Sequence, residues 1–115
     1  MPIGCYSLVA TIAHELTRLR PRSVLDLGIG MGFYGAVVRQ WLDSGVQPWR
    51  TRLIGVEGFA AYRNPCWDMY DEVLVMPIEE FLDRSTETWD AILLLDVLEH
   101  FDLAAGQQVL TAARN

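Results

Sequence analysis

The chain opens on an apolar stripe. Leu8, Ile12, Leu16 and Leu19 recur at spacings of four, four and three, which sets them along one face of a helix. Ser7 supplies an N-cap, and Pro21 stops the helix. His14 falls off the stripe and reads as a surface residue. Ser23-Val24-Leu25-Asp26-Leu27 is a short apolar run, which predicts a buried strand. Residues 28–35 form a glycine-dense turn, and 36–42 a helix that Asp43-Ser44-Gly45 ends. Residues 52–57 predict a second strand and 72–75 a third, with a mixed segment between them turned at Asn64-Pro65. A short helix over 78–83 follows Pro77. Residues 91–95 show no alternation, so a fourth strand buried on both faces is expected there. Asp102 caps a last helix that turns Leu103, Val109 and Leu110 inward.

Strands that alternate with helices imply a parallel sheet with right-handed crossovers. The fold class is therefore α/β, a doubly wound Rossmann-like sheet, in one domain over residues 1–115. Such sheets bind ligands at the carboxyl ends of their strands. There is no repeat, low-complexity tract or linker.

Composition narrows the chemistry. All nine basic residues are arginine, so lysine Schiff-base and lysine general-base chemistry within this chain are excluded. The net charge of −6 disfavours a nucleic-acid backbone as the main partner, although Arg18, Arg20 and Arg22 lie close together. Charge is also uneven. Residues 1–65 carry a formal +3 and residues 66–115 a formal −9, which reads as solvated faces or as two complementary surfaces. No apolar run is long enough to span a membrane, and the N-terminus has no secretory pattern, so a cytoplasmic location is expected. Cys5 and Cys66 make no metal spacing and are expected free and reduced.

The strongest signal is Val24-Leu25-Asp26-Leu27-Gly28-Ile29-Gly30-Met31-Gly32. Glycines at a strand-to-helix turn let backbone approach a ligand where a Cβ would clash. Glu57 stands at the tip of the next strand, where a carboxylate can accept from both hydroxyls of a ribose. In the dinucleotide pattern G-x-G-x-x-G the third glycine would fall on Phe33. The spacing here is G-x-G-x-G, with Asp26 two residues ahead of it. A dinucleotide needs turn amides free for its pyrophosphate. S-adenosylmethionine has no phosphate and carries an ammonium that a strand-tip acid can hold. The pattern favours S-adenosylmethionine.

With these residues the sequence resembles the class I S-adenosylmethionine-dependent methyltransferases. VLDLGIGMG resembles their first motif, LIGVEGF their second-strand motif, and WDAILLLDVLEHF their fourth-strand motif. Tyr62 to Trp67 and YDEVLV extend the likeness, which points to a bacterial subgroup of small enzymes of unassigned substrate. The resemblance implies that Asp26, Gly28, Gly30 and Gly32 cradle the methionine end and the ribose. Glu57 would bind the ribose hydroxyls, with Gly58 and Phe59 beside the adenine. Met76 and Pro77 stand where the family often has an adenine-binding acid, which leaves the Ile78 amide for that contact. Asp96 would lie beneath the sulfonium.

Past the fourth strand, Glu99 and His100 admit three roles. His100 can serve as a general base, the pair can begin the next helix, or the two can ligate a divalent metal. No metal site is expected. Tyr34, Phe59, Tyr62 and Trp67 can line a pocket or fill core, and Phe59 is the pocket candidate; Trp41, Trp49 and Trp89 read as packing.

The family sheet has seven strands in the order 3-2-1-4-5-7-6, so four strands here imply the order 3-2-1-4 and a domain incomplete at its C-terminus. The expected function is the cofactor-binding portion of a methyltransferase acting on a small molecule or glycan. The alternative is a noncatalytic nucleoside-binding or assembly module. An apolar fourth strand at the sheet edge predicts a homodimer through that strand.

Overall fold

The computed structural model describes residues 9–94. Helix α1 (Val9–Leu19) leads into β1 (Ser23–Leu27), α2 (Phe33–Leu42) and β2 (Arg52–Glu57). Two 3-10 turns, Ala60–Tyr62 and Pro65–Met69, lead to β3 (Glu72–Val75), α3 (Ile78–Arg84) and β4 (Ala91–Leu93). The four strands form one parallel sheet in the order β3-β2-β1-β4, as expected.

Alternation within the strands divides the core in two. Val24 of β1 and Leu53 of β2 face a cluster with Leu16 of α1, Val37 and Val38 of α2, and Trp67 and Tyr70. Leu25, Leu27, Ile54 and Val56 point the other way, onto Ile78 and Phe81 of α3. The sheet is thus covered on both faces, and its central strands β1 and β2 read as near-continuous apolar runs for that reason.

Four details depart from the sequence reading. Helix α2 begins at Phe33, three residues early, because Gly35 is helical and serves packing rather than the turn. Leu19, placed on the buried stripe, is 51% exposed. The chain turns there: Arg20 has a φ of 45°, in the left-handed region, and its N–H closes the helix on Leu16 O at 2.8 Å. Trp41, read as packing, is 49% exposed. In β4, Ala91 and Ile92 are half-buried and Leu93 alone is buried, because β4 is the outermost strand on its side among the described residues.

A buried polar network ties α2 to the approaches of β2 and β3. Arg39 donates to Asp43 Oδ2 at 2.9 Å, to Thr51 O at 2.7 Å and to Met69 O at 2.7 Å. Asp43 Oδ1 accepts from Thr51 N and Oγ1. The guanidinium lies 3.8 Å over the Trp49 ring. Its Nη2 is 3.2 Å from Asp71 Oδ2, an ion pair without hydrogen-bond alignment. A buried charge needs this many partners to be tolerated.

Candidate functional site

The turn between β1 and α2 is built from left-handed glycines. Gly28, Gly30 and Gly32 have φ of 75°, 56° and 86°, a region that strains any side chain with a Cβ. Their backbone groups are consumed within the chain. Gly28 N and Ile29 N both donate to Val56 O, at 2.7 and 3.3 Å, and Gly32 N donates to Ile29 O at 2.9 Å. Gly30 N donates to Glu57 Oε1 at 2.8 Å. None of these four amides is left to cradle a phosphate.

Glu57 therefore braces two loops. Its Oε1 holds Gly30, and its Oε2 accepts from Phe59 N at 2.9 Å. It is 9% exposed at the carboxyl tip of β2. Gly58 follows and packs on the loop before α3, where a Cβ would lie 3.8 Å from Met76 O and 3.9 Å from Pro77 Cα. Phe59 is 54% exposed and lies against Tyr62, with ring centroids 4.7 Å apart. Ile78 begins α3 with its side chain in the core. Asp26, the three glycines, Glu57, Gly58 and Phe59 are thus gathered at the carboxyl edge of the sheet, with the Pro77–Ile78 bend beside Gly58. Asp96, Glu99 and His100 lie outside the described residues, as do Cys5, Ser7 and the last predicted helix.

The sequence reading missed the residues that hold this edge in shape. Trp67 is core, and its Nε1 donates to Gly30 O at 2.9 Å. Asn64, read only as a turn former, donates to Met31 O at 3.0 Å while its Oδ1 accepts from Cys66 N. Tyr70 is buried and donates its hydroxyl to Asp26 Oδ2 at 2.7 Å. The distances in sequence, 37, 33 and 44 residues, put these contacts beyond any local pattern.

Asp26 is 3% exposed, and burial pushes its carboxyl up to about 6. The Tyr70 hydrogen bond pulls it back, and the charge of Glu57 adds to the rise. The Tyr70 hydroxyl is raised well above its usual value, by burial first and then by the neighbouring Asp26 charge. A depression of about 210 Å³ lined by Arg20, Arg22 and Arg50 lies at the opposite, amino edge of the strands, away from these acids. Among the described residues no group of three or more His, Cys, Asp or Glu is arranged to hold a metal. None of their helices is long and apolar enough to cross a membrane. Cys66 is a free, exposed thiol.

No family model matches the sequence, and no curated protein does. Solved structures do match the fold. One is SAM-bound CalS10, an amino pentose methyltransferase from Micromonospora echinaspora involved in calicheamicin biosynthesis. It aligns with 94% of this chain and 44% of its own, at 16% identity and a TM-score of 0.60. Another is the plantazolicin methyltransferase BamL, in complex with a triazolic desmethylPZN analog and SAH. It aligns with 75% of this chain and 32% of its own, at 21% identity and a TM-score of 0.48. The chain spans less than half the length of either protein. The likeness to CalS10 shows that the chain has a Rossmann-like methyltransferase fold.

Proposed function

We propose that the chain is the cofactor-binding portion of an S-adenosylmethionine-dependent methyltransferase whose acceptor is a small molecule or glycan. One observation carries the reading. The glycine turn spends the amides of Gly28, Ile29, Gly30 and Gly32 on its own backbone and on Glu57, and two carboxylates, Asp26 and Glu57, stand at its base. Anions are held by free amides and cations. This edge offers spent amides and acids, which suits a ligand without phosphate that carries positive charge and hydroxyls. S-adenosylmethionine is such a ligand, with a sulfonium, an ammonium and a ribose. The solved structure of like fold was itself determined with that cofactor bound.

The chain's residues divide the work. Glu57 accepts from the ribose hydroxyls with the lone pairs that Gly30 and Phe59 leave open. Asp26 takes the ammonium, directly or through water. Gly58 and Phe59 flank the adenine, and the backbone at Ile78 meets its edge. The bound cofactor supplies an activated methyl group, and transfer is an in-line displacement in which the protein positions the reactants. His100 takes the acceptor proton where the acceptor needs a base.

Calorimetric titration of the chain with S-adenosylmethionine and, separately, with NAD tests the reading. Saturable binding of the first alone is expected, with loss in Glu57→Ala. Binding of NAD instead would contradict the argument from spent amides.

A further inference from the structure

Asp26 lies directly across the β1–β2 pair from Gly55. That register is unusual in what it admits. A Cβ on Gly55 would stand 2.9 Å from Tyr70 Cδ2 and 2.9 Å from Ile29 Cγ2. A Cβ on Gly35 of α2 would stand 2.5 Å from Tyr70 Cε1 and 2.7 Å from Cζ. The Tyr70 ring therefore occupies a slot walled by two glycines, one on the strand and one on the helix. The slot leads its hydroxyl to Asp26 Oδ2 at 2.7 Å. The Gly35 N–H itself is spent on Gly32 O, at 3.2 Å, in the first turn of α2. Among the described residues no hydrogen bond reaches Asp26 Oδ1.

We propose that Tyr70 is a positioning residue of the candidate cofactor site, fixing Asp26 by its Oδ2 so that the ionised Oδ1 is the oxygen offered to a cationic group of the ligand. The proposal rests on the functional reading above and adds to it the residue that keeps this acid charged. Without Tyr70, a carboxyl buried to this degree and facing Glu57 would hold its proton further into the neutral range. A protonated Asp26 has no charge to offer an ammonium. Among the described residues the groups that face the pair are few. Glu57 comes from the tip of β2, and Arg39 of α2 faces the Tyr70 side, where it is already paired with Asp43 and Asp71. From β4 the register partner of Asp26 is the apolar Leu93.

The test is Tyr70→Phe, which keeps the ring in its slot and removes the donor. Two quantities are read in the 115-residue chain: the carbon-13 titration of the Asp26 carboxyl, and the affinity for S-adenosylmethionine across the mid-acid to neutral range. Loss of a hydrogen bond to the charged carboxylate is expected to raise the carboxyl midpoint by about one pH unit or more. At the wild-type midpoint the ionised fraction, and with it the affinity, then falls about five-fold. The two proteins should converge where both are fully ionised. In an Asp26→Asn background Tyr70→Phe should change nothing in the pH profile. A carboxyl midpoint that does not move overturns the proposal. So does an affinity loss that is equal at all pH, which marks a purely structural role. Failure of the wild-type chain to bind S-adenosylmethionine would instead remove the functional reading, while the carboxyl titration would still report the hold of Tyr70 on Asp26. Should Tyr70→Phe not fold, the phenol Cζ resonance of wild-type Tyr70 must move with the Asp26 titration; a signal indifferent to it overturns the proposal.

Discussion

Glu57→Ala is the perturbation with the clearest arithmetic. The carboxylate makes two charge-assisted hydrogen bonds, to Gly30 N at 2.8 Å and Phe59 N at 2.9 Å. These two losses are unequal. Gly30 is buried, so its amide would lose its partner without access to bulk water, which costs about 1–3 kcal/mol. Phe59 is exposed, and its amide can turn to solvent at little cost. One gain opposes these losses, since removing Glu57 relieves its repulsion of Asp26. That repulsion is the smallest of the three influences on the Asp26 carboxyl, so the relief is minor. The net expectation is a loss of about 1–3 kcal/mol, or roughly 5–20 °C in Tm for a domain of this size. Glu57→Gln can keep its carbonyl on Gly30 and should lose about half as much. Urea and thermal unfolding followed by circular dichroism, without ligand, measure both. A Glu57→Ala chain within about 0.5 kcal/mol of wild type would refute the idea that the acid braces the turn.

Three further outcomes are expected. Gly35→Ala should destabilise by about 1–2 kcal/mol although alanine is the better helix former, because its Cβ would meet the Tyr70 ring at 2.5 Å; a more stable variant would show that the ring yields. Arg39→Ala should cost about 3–5 kcal/mol in urea denaturation, since it strands the fully buried Asp43 carboxylate, and a loss under about 1 kcal/mol would disprove that dependence. The folded Asp26 keeps its proton to about pH 6, whereas the unfolded group loses it near 3.8. Its contribution is thus complete below about pH 4 and is lost as pH rises through 6, on the order of 3 kcal/mol in all. The stability of Asp26→Asn relative to wild type should therefore climb across that window, and a difference independent of pH would exclude it.

Much of this was legible in the sequence where the signal is local. β1 and β2 fall where the apolar runs fall, since strands buried on both faces announce themselves as unbroken hydrophobic stretches, and the half-exposed β3 falls on its short run Val73-Leu74-Val75. The glycine spacing and Glu57 were legible because a left-handed turn and a strand-tip acid each depend on few neighbours. Gly35 misled because its reason is a ring 35 residues downstream, and a glycine required for packing looks the same as one required for turning. Tyr70 was invisible as a partner of Asp26 for the same cause. Nothing around residue 70 marks it until the sheet sets Gly55 opposite Asp26. The fate of Leu19 and Trp41 turned on where each helix leaves the core, which periodicity does not encode.

The strand order also carries an expectation about the order of folding. β2 meets β3 through partners such as Ile54 and Glu72, only 18 residues apart, whereas β4 reaches β1 through Val24 and Ala91, 67 residues apart. Closing the longer loop costs about 1 kcal/mol more in chain entropy. β4 repays that with three register pairs, against five between β1 and β2. β3, β2 and β1 are therefore expected to pair first and β4 to dock afterwards, an order that φ-values in β4 near zero would bear out. During synthesis, the residues of the glycine turn and Glu57 can find one another while the fourth strand is still being made.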